Sequence, residues 1–482
     1  MKKRVLSLLL AVTLASVSIL TLAGCGDRSG DAPVADTTQE TPDEPDDEPD
    51  VDNDDEPDVV APEGGPTVTA DYISFDDWTI EFTWLPMEGT DHVNPLAAAW
   101  NTDSAVDFVT RNPHVRINLA ASMSADIGAA MAQTLTQAAM GTAPDVAPID
   151  SFFMPHYYDF VQPITDILAE NNIPLDSWFP FAQGIMAPDG PDGEIYAMWF
   201  RTDLRVLYYR RDLIDTPPTN VDEIFEIMEP LAEEGYMFIY TGGMGEATTM
   251  NMLPWFWSQG GEIFDAGGTP VFDEGNNADA LINLFELIQR TIDTGITPAR
   301  VNAIPTDIDM LEDIVGGQTA MFVGGSFLYP RIVEAIGQEE FDEIWGVAPI
   351  PVMPGGVQTS ASGGWLYGVF SEDDEVRRYA AQFVIDLAIS DEANVGYVEA
   401  TGHLPARETS FALSEIWSND PVFLQFREYL MFTHLRPSVA LYTYWSTEFQ
   451  AVFADIISGS LTPTEALQIL SDAVWREYEA TN

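Results

Sequence analysis

Thr79-Ile80-Glu81-Phe82-Thr83-Trp84 alternates apolar with polar side chains and is rich in aromatic and β-branched residues, so it reads as a first strand with one buried face. It runs into a loop, Leu85-Pro86-Met87-Glu88-Gly89-Thr90. A helix is expected from Ala97 to Val109, ending before Asn112-Pro113, and Val115-Arg116-Ile117-Asn118-Leu119 is a second strand. Ile127, Met131, Leu135 and Ala139 then fall on one helical stripe, and Pro144 to Asp150 reads as a third strand closing in a polar turn. Strand, helix, strand, helix, strand implies an α/β fold with a parallel sheet and right-handed crossovers. Ligands of such sheets bind beyond the carboxyl ends of the strands, where this chain places Trp84, Glu88, Asp150, Ser151 and Phe152.

Further along, Glu194 to Arg210 is strand-like at both ends with a charged middle, Arg201-Thr202-Asp203. Pro217-Pro218-Thr219 opens a helix, with Thr219 as the expected N-cap and Asp222 at the third position; the helix stops at Gly235. Trp255-Phe256-Trp257 precedes Gly260-Gly261-Glu262, and a further helix carries Leu281, Leu284, Phe285 and Ile288 on one face. Gly316 to Phe327 is a turn, a short apolar strand and a Gly-rich loop; Gly363-Gly364-Trp365 leads into another strand. Val376, Tyr379, Phe383, Val384 and Leu387 mark a helix, and Thr462-Pro463-Thr464-Glu465 opens the last one with N-cap, Pro at N1 and Glu at N3.

The start of the chain has a different logic. Lys2, Lys3 and Arg4 precede an apolar run from Val5 to Leu22, the pattern of an export signal over residues 1–24. The run ends in Leu22-Ala23-Gly24-Cys25, and Cys25 is the only cysteine of 482 residues. Leu-Ala-Gly-Cys resembles the bacterial lipobox, whose cysteine becomes the lipid-modified first residue of the mature protein. That resemblance implies a lipid anchor in the membrane and a protein facing outside the cytoplasm, at the cell surface or in the periplasm. From Asp31 to Glu63 fifteen acidic residues and no basic one are mixed with Pro and Thr. Such a tract cannot bury enough apolar area to offset chain entropy, so residues 25–65 are expected to be an anchor and a disordered acidic linker.

The formal net charge is −59, and that tract accounts for only about a quarter of it, so the body is acidic too. Lys2 and Lys3 are the only lysines, so beyond the signal every strong cation is an arginine. The balance suits high salt or alkaline surroundings, where ions screen self-repulsion, and it argues against nucleic acid as a partner. A single cysteine rules out disulfides within the chain. No second apolar run is long enough to cross a bilayer, and roughly 400 remaining residues exceed one typical core, which favours two lobes.

Taken together, Tyr196–Arg210, Pro218-x-Asn220-x-x-Glu223, Gly260-Gly261-Glu262, Gly317-Gln318-Thr319-Ala320-Met321, Gly364-Trp365 and Thr401-Gly402-His403-Leu404-Pro405-Ala406-Arg407 resemble, in order, the family 1 extracellular solute-binding proteins, the sugar-binding lipoproteins of ABC importers. The similarity runs from about Thr79 to the C-terminus. Arg210-Arg211 replaces the family's Asn-Lys, Trp199 stands where a proline is common, and Phe327 where a tryptophan often lies. The resemblance implies a two-lobed periplasmic-binding-protein-like fold of type II, with mixed and parallel sheets flanked by helices and a hinge of crossing strands. The crossings would fall near Phe200–Leu204, Asn302–Asp307 and Gln358–Gly364. The lobes are expected at 66–203 plus 305–358 and at 204–304 plus 359–482.

It further implies a carbohydrate ligand, an oligosaccharide, held between the lobes and passed to the permease subunits of an ABC transporter, with no cofactor, no metal and a monomeric chain. Sugars present apolar C–H faces and rings of hydroxyls, so a receptor needs aromatic platforms with carboxylates, amides and arginines. The candidates are Trp84, Glu88, Asp150, Ser151, Trp199, Arg201, Asp203, Trp255, Trp257, Phe327, Trp365 and Arg407. A ligand-sensing subunit for a membrane signalling receptor would share this chemistry. A secreted glycosidase-like enzyme is the rival class, but the chain has no Gly-x-Ser-x-Gly elbow and no cysteine nucleophile apart from Cys25, and His92, His114, His156, His403 and His434 lack His-Glu-x-x-His spacing. It is therefore expected not to be an enzyme.

Overall fold

The computed structural model describes residues 64–88, 94–121 and 127–481. The expected export signal, Cys25 and the whole acidic tract from Asp31 to Glu63 lie outside the described residues.

Among the described residues eleven strands are ordered around one long member. They are β1 Thr67–Val68, β2 Tyr72–Ser74, β3 Ile80–Trp84, β4 Val115–Leu119, β5 Val146–Asp150, β6 Ala197–Arg210, β7 Met237–Ile239, β8 Thr319–Gly325, β9 Trp345–Ala348, β10 Ser360–Val369 and β11 Thr433–Leu435. The opening motif folds as its periodicity requires. β3 pairs in parallel with β4 and touches β5 in parallel through Trp84 and Val146, with the helices Pro95–Arg111 and Ile127–Met140 as crossovers. Phe82, Phe108, Val115, Ile117, Val146 and Ile149 are fully buried in the core this produces. β10 runs antiparallel between β5 and β6, which makes the sheet mixed.

β6 leaves one sheet and enters the next. Through Leu204 it pairs with β10, and from Arg205 to Tyr209 it pairs with β8. The charged middle that the sequence showed is therefore continuous strand. Arg201, Asp203 and Arg205 alternate onto one face and find oppositely charged partners there, so the ladder is not interrupted. The second sheet comprises the end of β6 with β7, β8 and β9. Strands 319–325 and 345–348, expected from sequence in the first lobe, thus pair with 205–210, while 362–369, expected in the second, pairs with β5 and the first half of β6. Sequence order misled because the chain crosses between sheets more than once, and the pairing partners of a crossing strand carry no local signature.

Local stops and starts follow side-chain chemistry. The last helix, Pro463–Thr481, begins with the expected box: the Glu465 carboxylate accepts from both the backbone N–H and the hydroxyl of Thr462. At Val221–Glu233 the cap is one residue later than expected. Asn220, not Thr219, accepts from the N–H groups of Asp222 and Glu223, and Glu223 reaches back to Thr219. An amide oxygen one position nearer the first turn competes better than the threonine hydroxyl. Gly363-Gly364-Trp365 lies inside β10 rather than ahead of it.

Candidate functional site

Asp150, Trp365 and Arg201 face each other in register on three adjacent strands, β5, β10 and β6. Cross-strand partners share a face, so these side chains form a row, and alternation adds Asp203 and Arg205 along β6. Two glycines make the row possible. A Cβ at Gly363 would lie 2.7 Å from Nη2 of Arg436, and one at Gly364 only 2.1 Å from Nε1 of Trp199 and 2.4 Å from the Arg201 carbonyl oxygen. The first lets a guanidinium lie against the strand, and the second lets an indole pack beneath it.

Three arginines organise the charge of this face. Arg201 donates through Nη1 to Oε1 of Glu88, whose Oε2 accepts from the Tyr397 hydroxyl at 2.5 Å. Arg205, just past the crossover, has Asp203 and Asp307 each 3.4 Å away, and Asn251 donates to Asp307 at 3.0 Å. Arg436 donates through Nη2 to Asp150 at 2.7 Å and through Nη1 to Glu246 at 3.2 Å. Asp150 ends β5 of the first sheet, whereas Glu246 begins the helix Glu246–Ser258 that packs with the second-sheet helices, so Arg436 ties the two sides together. Its guanidinium also lies 4.0 Å from the Phe152 ring centroid. Arg436 itself follows β11, a short parallel addition to β10 at Ser360–Ser362.

Burial decides the electrostatics. Arg201, Arg205 and Arg436 are each at most 5% to 6% exposed at the side chain where they meet their carboxylates. Burial pushes the Asp150 carboxyl up to about 6, with Glu246 and Asp203 adding to the rise and Arg436 opposing it. Burial works against the charge of Arg436, but Asp150 and Glu246 outweigh it and hold the guanidinium above its ordinary range. The Nε donors of all three arginines are buried without a partner among the described residues. Leaving a buried donor without an acceptor costs about 1–3 kcal/mol, so these three Nε groups are the unsatisfied polar atoms of this face.

The remaining candidates are placed as follows. Trp84, Trp199 and Trp255 are fully buried within the lobes: Trp84 packs edge-on against Phe383, Trp199 donates to the Arg201 carbonyl and Trp255 to that of Pro351. Arg407 is buried under Trp178, pairs with Asp391 at 2.8 Å and donates to the Ile389 carbonyl. Trp199 thus lies directly beneath the row, whereas Trp84, Trp255 and Arg407 sit away from it. Ser151 donates to Asp150 beside it, Phe327 stacks on His403 and lies 5.6 Å from the Arg205 guanidinium, and Trp257 stacks on His434. The structure therefore gathers Glu88, Asp150, Ser151, Arg201, Asp203, Phe327 and Trp365. It adds two residues that sequence reasoning missed, Arg436 and Glu246. In a chain with so few cations, an arginine in a Pro-flanked loop, Leu435-Arg436-Pro437, was the available signal for the first. Glu246 follows the glycine-rich run Gly242-Gly243-Met244-Gly245, which marks a turn but carries no sign of which charged partner its neighbour will meet.

Among the described residues no group of three or more His, Cys, Asp or Glu is arranged to hold a metal ion, and no helix is long and apolar enough to cross a membrane. The family model of bacterial extracellular solute-binding proteins matches residues 103–425. The maltodextrin-binding protein MdxE of Bacillus subtilis is 22% identical over 303 residues, covering 60% of this chain and 69% of that protein. An arabinooligosaccharide-binding protein of Halalkalibacterium halodurans is 23% identical, covering 60% and 63%. Among solved structures, maltose-bound MalE3 of T. maritima superposes with a TM-score of 0.71 at 21% identity, covering 82% of this chain and 99% of that one.

Proposed function

The chain belongs to the bacterial extracellular solute-binding protein family, and from that premise we propose that it is the carbohydrate receptor of an ABC importer, gripping an oligosaccharide between its two lobes and delivering it to the membrane permease. The observation that carries this reading is the row of Asp150, Trp365 and Arg201, which Arg436 connects to Glu246 on the other side. It offers an aromatic ring, carboxylate acceptors and spare guanidinium donors, the set that a polyol needs. The relatives named for maltodextrin and arabinooligosaccharide support a saccharide of more than one unit.

The ligand contacts are Glu88, Asp150, Ser151, Arg201, Asp203, Phe327 and Trp365, with Trp257 at the edge and Arg436 and Glu246 closing over the sugar. Trp199 supports these positions from beneath, while Trp84, Trp255 and Arg407 belong to the cores of the lobes. Residues 66–204 with 362–401 make one lobe and 205–348 with 442–481 the other, so closure turns on the Leu204–Arg205 step. Cys25 carries the lipid anchor, the receptor works as a monomer outside the cytoplasm, and no bond is made or broken in the cleft.

A thermal-shift screen of the purified chain against mono- and oligosaccharides tests the reading, because a ligand that binds only the folded state raises the melting temperature by mass action. A sugar that produces a shift and is recovered unchanged supports a receptor; fragments of that sugar after incubation would mean an enzyme. Mass spectrometry of the membrane-bound protein and of Cys25→Ser reads the anchor directly.

A further inference from the structure

We propose that the cleft selects neutral or amine-bearing saccharides and turns away uronates; this rests on the saccharide-receptor reading above and narrows it. Around the three buried arginines stand five carboxylates, those of Glu88, Asp150, Asp203, Glu246 and Asp307, an excess of two negative charges. Every guanidinium is already matched: Arg201 by one carboxylate, Arg205 and Arg436 by two each. No positive charge is left over for an incoming acid.

The least satisfied of the five is Asp203. Among the described residues its carboxylate accepts one long hydrogen bond, 3.4 Å from Arg205, and its side chain keeps 16% exposure in the middle of the row. It is therefore the free acceptor of the site, suited to a hydroxyl or an ammonium. Burial is the main cause of the rise of the Asp150 carboxyl, and Arg436 opposes it, but Glu246 and Asp203 each add to it, as neighbouring negative charges must.

The general acidity of the chain does not explain the excess. Surface carboxylates are solvated and screened within about 8 Å at physiological salt, whereas charges in a water-poor site interact over their full separation. A uronate carboxylate could accept from the spare Nε donors of Arg201, Arg205 and Arg436, but only by approaching five carboxylates that those arginines do not fully offset. The oxygen of a neutral hydroxyl accepts the same bonds without that penalty, and a protonated amine gains from the excess.

The test is calorimetric titration of the full chain, at neutral pH, with glucose, glucosamine and glucuronate oligosaccharides of matched length, each in α-1,4 and β-1,4 linkage. The expected result is that in the linkage that binds, the uronate is at least tenfold weaker than the neutral sugar and the amino sugar is equal or tighter. A uronate that binds as well as its neutral counterpart overturns the proposal. If neither these oligosaccharides nor any sugar of the thermal-shift screen binds, the saccharide reading itself falls and this one with it; a different sugar found by the screen is carried into the same comparison with its uronate and amino forms, which distinguishes the two failures. Asp203→Asn provides the second reading: it should narrow the gap between uronate and neutral sugar and weaken the amino sugar, with the unliganded melt as a control for folding. An unchanged gap in a folded Asp203→Asn protein would also count against the proposal.

Discussion

Nη2 of Arg436 donates to Oδ1 of Asp150 at 2.7 Å although 286 residues separate them, and both side chains are nearly inaccessible. The same guanidinium reaches Glu246, so one cation joins a strand end of the first sheet to a helix start on the second side. Removing it strands two carboxylates. Arg436→Met should lower stability by about 3–5 kcal/mol in denaturant titrations, the range for breaking a buried pair from one side. In a cycle with Asp150→Asn the coupling should come to about 1–3 kcal/mol; additive losses would mean that the pair does not act as a unit.

Asp150 gives stability a pH dependence of definite sign. Its folded-state carboxyl sits at about 6, above the unfolded value, so between roughly pH 4 and 6 the folded chain binds more protons than the unfolded one. Its contribution is complete below pH 4 and is lost as pH rises through 6. Melts of the parent chain compared with Asp150→Asn should therefore diverge over this window, the parent losing on the order of 3 kcal/mol relative to the variant and then levelling. A constant difference from pH 4 to 7 would show that Asp150 titrates normally.

His403 works in the opposite direction. It stacks on Phe327 and is partly buried, and desolvation together with the nearby Arg201 and Arg331 guanidiniums holds its imidazole well below the usual range. An imidazole held neutral in this way contributes stability above about pH 6.5, and that contribution declines as pH falls and the unfolded chain takes up the proton. His403→Gln should flatten the acid limb of the stability profile below pH 6.5; a profile parallel to that of the parent would rule this out.

Trp365 is 7% exposed, so truncation to alanine should cost stability as well as affinity. Trp365→Phe separates the two effects. It keeps an apolar ring on the strand and should leave the unliganded melt within a few degrees, while weakening the cognate sugar about tenfold through lost stacking area. Unaltered affinity in Trp365→Phe would remove the indole from the set of ligand contacts.

Gly364→Ala asks for room that is not there. The added methyl would lie 2.4 Å from the backbone oxygen of Arg201, and backbone cannot swing aside as a side-chain tip can. A loss of about 1–3 kcal/mol is expected, with the Trp199 fluorescence environment altered. At Gly363 the obstacle is the end of the Arg436 side chain, so Gly363→Ala should affect ligand affinity more than stability.

Residue order determined much of this protein by itself. Alternation in Ile80–Trp84 and Val115–Leu119, and helical stripes such as that of Ile127–Met140, depend only on which side chains shun water within a few residues, so those elements lie where periodicity placed them. The family resemblance extended the same local reading to the two-lobed α/β fold and its crossing strand. Tertiary structure alone decided which aromatic rings lie on the charged row and which lie beneath or away from it. Trp84, Trp199, Trp255 and Trp365 look alike along the chain, but their burial and neighbours depend on strands more than a hundred residues apart. It also decided the grouping of 319–348 with 205–210, and the meeting of Arg436 with Asp150 and Glu246. The physical reason is common to all three: propensity and periodicity act over a turn or a strand, whereas desolvation and charge pairing act between whatever the completed fold brings within a few ångströms.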